Sequence, residues 1–417
     1  MRKQARWLAG AAAAVILGSG GMGWALAQGG KEILPVEPYL QDNGSIAAMP
    51  DVRGHWAQAA IELAISKDYV DGYEDGTFRP EQQVSRAEFT KLAVSALKLS
   101  AGTAKAGEAW YTPYMNAAVK AGIHQWSDFN SGDWNTPMTR GEMARMAVRA
   151  AGQSTDDDLK WMFLATKAGL IQGTDETGSL DVDGTTTRAQ AVTIIERILS
   201  VKAGQKLEAD LHAVSRAELL WHKTNVFTML PQFFGYGNDG TSVGLVRWDP
   251  NNLVLETPDG NWKGELLSLK VIDLEDPNDP FRSELPPLEE MTFAAGIKDG
   301  ASFRAPVSTA RHSYILWPEA VVYYNNDPQM YNNTVLGYLG VSINGIKQVS
   351  REERIPGTVN GTSSLHYNGK PTNAVILNKE STFPKYVGLS VGTMGPRLVN
   401  HKIYEALNQL LDLDGGD

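Results

Sequence analysis

The sequence predicts a multi-domain chain: an all-α region of three helix-loop-helix repeats, followed by a β-rich α+β domain. Three observations carry this. The wording Ser85-Arg86-Ala87-Glu88 returns as Thr139-Arg140-Gly141-Glu142 and as Thr187-Arg188-Ala189-Gln190, with the arginines 54 and 48 residues apart. Each copy opens a run with apolar residues on one helical face: Phe89, Leu92, Ala93, Ala96 and Leu97, then Met143, Met146, Ala147, Ala150 and Ala151, then Ala191, Ile194, Ile195, Ile198 and Leu199. Beyond about residue 204 the pattern changes to alternating and β-branched runs.

In chain order, Arg2, Lys3 and Arg6 precede an apolar run from Trp7 to Leu17 and a Gly/Ala-rich stretch ending Ala25-Leu26-Ala27. This reads as a secretory signal over residues 1–27, with an uncleaved anchor as the alternative. After cleavage no stable membrane insertion is expected. Residues 28–48 mix Gly, Pro and polar residues without periodicity and read as a linker.

The repeats fill residues 49–203, at about 49–100, 106–152 and 155–201. In the first, His55-Trp56 precedes a short amphipathic helix with Ala57, Ile61, Ala64 and Ile65. A turn-rich loop, Gly72 to Pro80, then leads to the Ser85 helix. The second repeat places Trp110 where the first has Trp56, and the third carries Trp161. Units of this period bury their faces on one another, and three is about the minimum for a stable stack.

The motif's chemistry is that of a helix start. Ser85, Thr139 and Thr187 suit N-cap positions, and Glu88, Glu142 and Gln190 at N3 complete capping boxes. Capping does not explain Arg86, Arg140 and Arg188. A cation at N1 meets the positive end of the helix dipole, where an acid would be favoured. With free backbone N–H groups beside it, such a guanidinium suits a carboxylate or phosphate; an exposed spectator arginine is the alternative. Trp56, Trp110 and Trp161 sit at predicted helix starts, so core packing is the favoured reading over stacking on sugar faces. A fourth copy of the letters, Ser215-Arg216-Ala217-Glu218, puts His222 and Lys223 at core offsets. It reads as an ordinary capping box opening the next domain.

His55-Trp56-Ala57, Gly72-Tyr73, Asp75 to Pro80 and Ser85 to Glu88 together resemble the S-layer homology (SLH) domain. The resemblance extends over three repeats and departs from the pattern in the loops of repeats two and three and at Gln190. It implies a pseudo-threefold helical trimer whose grooves hold a secondary cell-wall polysaccharide, often bearing ketal-linked pyruvate. Carried over, Arg86, Arg140 and Arg188 would pair with the sugar carboxylate, beside Ser85, Thr139, Thr187, Trp56 and Trp110.

Residues 204–417 read as a β-rich domain with a helix at each end. Leu267, Leu269 and Val271 alternate with Ser268 and Lys270, and Val387, Leu389 and Val391 alternate with Gly388 and Ser390. Ile315 to Trp317 and Val321 to Tyr324 add further strand-like runs, Asn344-Gly345 and Asn368-Gly369 are hairpin-type turns, and Leu398 to Leu411 is expected to be a closing helix. No catalytic motif emerges: Ser95 to Lys98 spells S-x-x-K only by chance, and His222, His312, His366 and His401 lack ligand spacing. The acidic stretch Asp273 to Asp279 reads as a solvated turn, with a calcium site as the minority reading.

The absence of cysteine excludes disulfides and thiolate metal sites. Loss of the leader's three basic residues takes the formal charge from −10 to −13, which argues against nucleic acid as a partner. No cofactor is expected. The sequence thus points to a secreted cell-surface protein, held to wall polysaccharide by residues 49–203 and displaying a structural or interaction domain. The alternative is an SLH-anchored enzyme acting on wall or extracellular glycans.

Overall fold

The computed structural model describes residues 49–129, 133–232, 234, 248–251, 253–257, 259–298, 301–329, 331, 339–344, 358–382, 386–393 and 403–410. The expected signal and linker lie outside them, as does Gly345 of the Asn344-Gly345 turn. Among the described residues no helix is long and apolar enough to cross a membrane.

Three helix pairs come first: α1 (Gln58–Ser66) with α2 (Arg86–Ala96), α3 (Thr112–Lys120) with α4 (Arg140–Ala150), and α5 (Lys160–Lys167) with α6 (Arg188–Lys202). Each motif starts its helix as expected. Ser85, Thr139 and Thr187 accept from the N3 amide, and the Glu88, Glu142 and Gln190 side chains return the bond. The pairs are joined by a closed ring of backbone bonds. Val84 N donates to Thr186 O, Thr186 N to Met138 O, and Met138 N to Val84 O, each at 2.9 Å. Val84, Met138 and Thr186 are fully buried there.

That ring overturns one expectation. The N1 and N2 amides were to be free for an anion, but the neighbouring segment takes them. Arg86 N donates to Thr136 O, Arg140 N to Gly184 O and Arg188 N to Gln82 O, at 3.0, 2.9 and 2.8 Å. Ala87, Gly141 and Ala189 are bonded likewise, to Trp134, Val182 and Pro80. Buried helix ends need partners, and here the adjacent chain supplies them.

The fourth copy of the letters is not a cap. Helix α7 (Leu211–His222) starts earlier, with Asp210 accepting from the amides of His212 and Ala213. Ser215 and Glu218 are buried mid-helix. Leu207, Ala213, Val214 and Ala217 belong to the same core as the six preceding helices, so the helical part runs to about residue 223, not 203. Glycine makes that contact close: a Cβ at Gly178, where φ is +71°, would meet Ala213 N at 2.3 Å, and one at Gly169 would meet Glu208 O at 2.7 Å.

Past Lys223 and the short α8 (Val226–Met229), the β region holds β1 (Val254–Glu256), β2 (Trp262–Asp273), β3 (Met291–Lys298), β4 (Ala301–Pro306), β5 (Ser313–Asn325), β6 (Leu339–Asn344), β7 (Thr362–Tyr367), β8 (Lys370–Asn378), β9 (Tyr386–Thr393) and β10 (Ile403–Leu410). A seven-stranded antiparallel sheet has the order β1-β2-β5-β8-β7-β3-β4, and a three-stranded one the order β10-β9-β6. Apolar clusters lie on both faces of the larger sheet: Leu269, Val271, Leu316 and Leu377 in one, Ile272, Ile315, Ile376 and Phe293 in the other.

Several strand expectations hold. Asn368-Gly369 makes the tight β7–β8 turn with φ of +50° and +72°. The two apolar runs around Pro318 are a single strand, β5. The alternation through Leu267 fails at that residue: a bulge between Leu266 and Ser268 moves Leu267 outward while Leu266 and Leu269 are fully buried. The closing helix is also corrected. Ile403–Leu410 is a strand paired antiparallel with β9, so an apolar run that also fits helical spacing has gone to sheet pairing.

Candidate functional site

The arginines reach across the ring in cyclic order. Arg86 of the first pair meets Glu142 of the second, with Nε to Oε2 at 3.1 Å and Nη2 to Oε1 at 2.5 Å. The Phe129 ring lies 4.5 Å from its guanidinium. Phe129 in turn packs on Trp134 and His124, filling that side of the ring with aromatic groups. Arg140 of the second pair donates through Nε to Leu180 O and through Nη2 to Gln172 O, both at 2.8 Å, in the third. Arg188 of the third donates to Phe78 O and Asp71 O, both at 3.0 Å, in the first, with the Phe78 and Tyr73 rings 4.4 and 5.0 Å from it. None is the exposed spectator; Arg86 and Arg140 are buried and Arg188 is half-buried.

Arg140 opens onto a cavity. A space of about 260 Å³ lies where all three pairs meet. Trp56 and Glu81 line it from the first pair, Arg140 from the second, and Gln172 to Thr174, Thr187, Gln190, Thr193 and Arg197 from the third. Glu81 is turned to His55, at 2.7 Å from Nε2. Arg197 donates to Leu170 O at 3.3 Å and to Gln172 Oε1 at 3.0 Å.

Two guanidiniums thus share a cavity wall, and neither is ion-paired among the described residues. Arg140 Nη1 makes no hydrogen bond to any described residue. Burial pulls Arg140 below the usual arginine value, with the Asp181 charge opposing. Burial, and then the Arg140 charge, brings Arg197 down to about 10. Both remain cationic at neutral pH. Buried positive charge without a counterion is costly, and an anion entering the cavity would relieve it.

Of the residues singled out in the sequence, Trp56, Arg140, Thr187 and Gln190 come together here. The hydroxyls of Ser85, Thr139 and Thr187 accept from their N3 amides at 3.2, 3.2 and 3.3 Å. Of the three tryptophans, only Trp161 is fully in the core; Trp110 is 46% exposed and Trp56 half-buried at the cavity wall. Sequence reasoning missed Arg197. It lies nine residues after Arg188, as Arg149 lies nine after Arg140, whereas Ser95 holds that place after Arg86. Arg149 is neutralised by the buried Asp128 at 2.5 Å, and Arg197 is not.

The family of S-layer homology domains matches residues 48–90. An amylopullulanase of Thermoanaerobacterium thermosulfurigenes is 31% identical over 175 residues, covering 36% of this chain and 9% of that protein. A cellulosome-anchoring protein of Acetivibrio thermocellus is 44% identical over 50 residues, covering 12% and 11%. An S-layer protein of Bacillus thuringiensis subsp. finitimus is 30% identical over 110 residues, covering 25% and 13%. The chain therefore spans about a tenth of each relative's length. Residues 48–90, with their capped Ser85-Arg86-Ala87-Glu88 start, are an S-layer homology domain, and the chain is an SLH-domain protein of the cell surface.

Proposed function

We propose that all three helix pairs are S-layer homology repeats arranged as a pseudo-threefold unit. This unit anchors the chain noncovalently to an acidic secondary cell-wall polysaccharide, bearing a group such as ketal-linked pyruvate. The observation that carries the reading is the cavity in which Arg140 and Arg197 stand without an ion-paired carboxylate among the described residues. A carboxylate there would accept from Arg140 Nη1 and offset the repulsion between two guanidiniums. Trp56 offers an apolar wall for a sugar face, and Thr174, Thr187 and Gln190 line the rest with polar groups. The β region is then the displayed part, a structural or interaction domain.

The test is co-sedimentation with purified cell walls. Arg140→Ala should lower the bound fraction at least fivefold, and Arg140→Ala with Arg197→Ala should abolish retention. Full retention of the folded double variant would refute the cavity as the anchoring site. A ligand occupying it should also raise the melting temperature in proportion to the logarithm of its concentration, since only the folded state binds.

A further inference from the structure

The contact between the first and second helix pairs is built unlike the other two. Arg140 and Arg188 donate to carbonyls of the next loop, whereas Arg86 is neutralised by Glu142 and covered by Phe129. The loop between α3 and α4, where the wording departs from the S-layer homology pattern, supplies aromatic residues. Trp126 meets Trp134 edge to face with centroids 6.1 Å apart, Trp134 meets Tyr111 at 6.1 Å, and Tyr111 meets Trp110 at 5.6 Å. This chain of ring contacts ends in the two most open indoles, Trp126 at 58% exposure and Trp110. Tryptophan is highly buried on average, so two indoles left this open mark a surface that a partner covers.

The surroundings name the chemistry of that partner. The nearby charges are already matched, Arg86 by Glu142 and Asp128 by Arg149, so the strip calls for no ion. Its remaining polar groups are neutral. The indole N–H groups of Trp110, Trp126 and Trp134 and the Tyr111 hydroxyl make no hydrogen bond to any described residue. His124, buried against Trp126, Phe129 and Trp134, has Nδ1 3.1 Å from Asp128 Oδ2 and no partner for Nε2 among the described residues. With the proton on Nδ1, beside the carboxylate, Nε2 is an unfilled acceptor. Apolar ring faces with neutral donors and an acceptor suit a pyranose ring, whose C–H face stacks on indole while its hydroxyls pair at the rim.

We propose that this aromatic strip is a saccharide site in its own right, one that takes an uncharged pyranose chain by stacking. It is separate from the Arg140 cavity, whose wall holds none of these rings. The proposal therefore stands or falls independently of the anchoring reading.

The experiment is titration of the full chain with two uncharged probes, the N-acetylglucosamine tetrasaccharide and cellotetraose, read by calorimetry and by the indole N–H resonances. The native chain should bind at least one probe at millimolar concentration and shift the Trp126 signal. Trp126→Ala, at an exposed position, should keep its melting temperature and weaken binding at least fivefold, and Trp110→Ala with Trp126→Ala should abolish it. Arg140→Ala should bind within a factor of two of the native chain. Binding of neither probe overturns the proposal, as does a double variant that binds within a factor of two of the native chain. A loss confined to folded Arg140→Ala would place the sugar in the cavity and overturn it too. Self-association that depends on Trp126, without probe binding, would make the strip a protein contact instead.

Discussion

Arg86, Arg140 and Arg188 share one sequence context, yet Arg86 ion-pairs while Arg140 and Arg188 each donate to two backbone carbonyls. Arg86 spends its charge on folding. Its side chain is 9% exposed and that of Glu142 18%, so the pair lies in a low-dielectric setting. Removing one partner of such a pair strands the other, at a cost of about 3 kcal/mol. Arg86→Met should therefore lower unfolding free energy by roughly that amount, whereas Arg86→Met combined with Glu142→Gln should recover part of it. Denaturant titrations of the four species give the coupling directly, and additivity would show that the pair contributes nothing. Glu142→Gln keeps the cap, as Gln190 does in α6, so the cycle isolates charge from capping. On the anchoring proposed above, loss of Arg86 should weaken wall binding through stability and loss of Arg140 through contact with the ligand.

At the scale of elements, helix starts were legible and their surroundings were not. Ser85, Thr139 and Thr187 define α2, α4 and α6 because a capping box is a local device, complete within four residues. The fate of the N1 and N2 amides depended on segments 41 to 109 residues away, which no local pattern reports. The same limit explains Ile403–Leu410, where pairing with β9 decided the state, and Leu267, where a bulge reset the alternation. In α7 the letters of Ser215 to Glu218 misled because they lie inside a helix capped by Asp210. Arg216 instead joins the two regions, donating to Thr177 O at 2.9 Å and to Pro280 O at 3.2 Å. Arg216→Ala should leave wall binding unchanged while speeding proteolysis between α7 and β2. His222, at the end of α7, adds a pH dependence. Burial, and then the Lys160 charge, holds it down to about 4 against an ordinary value near 6.5. The unfolded chain therefore binds the extra proton first, so stability is full above pH 6.5 and declines as pH falls toward 4. His222→Gln should flatten the melting temperature across that window; an unchanged slope would assign the acid sensitivity elsewhere.

For the whole molecule, the question is where the anchor ends. The repeat pattern stops near residue 203, but the core does not. Ala213, Val214 and Ala217 of α7 pack into it, with Gly178 under the start of α7 and Gly169 under Leu207 and Glu208, neither leaving room for a side chain. From there the chain continues directly into the sheet. Thr224 bridges to Leu269 of β2, Asn225 bonds Ser215 of α7 and both polar backbone groups of Val271, and Glu218 accepts from the amides of Phe227 and Thr228. These side chains are fully buried, so the junction is built like a core and not like a linker. Helix α7 therefore serves both regions, and orientation of the β region follows from that of the anchor. A fragment ending at residue 203 loses the apolar cover of α7, worth on the order of 4 kcal/mol at about 25 cal/mol per Å². Its melting temperature should fall by roughly 10 °C relative to a fragment ending at residue 223. Calorimetry of the two fragments checks this, and equal melting temperatures would place the boundary at the last repeat after all.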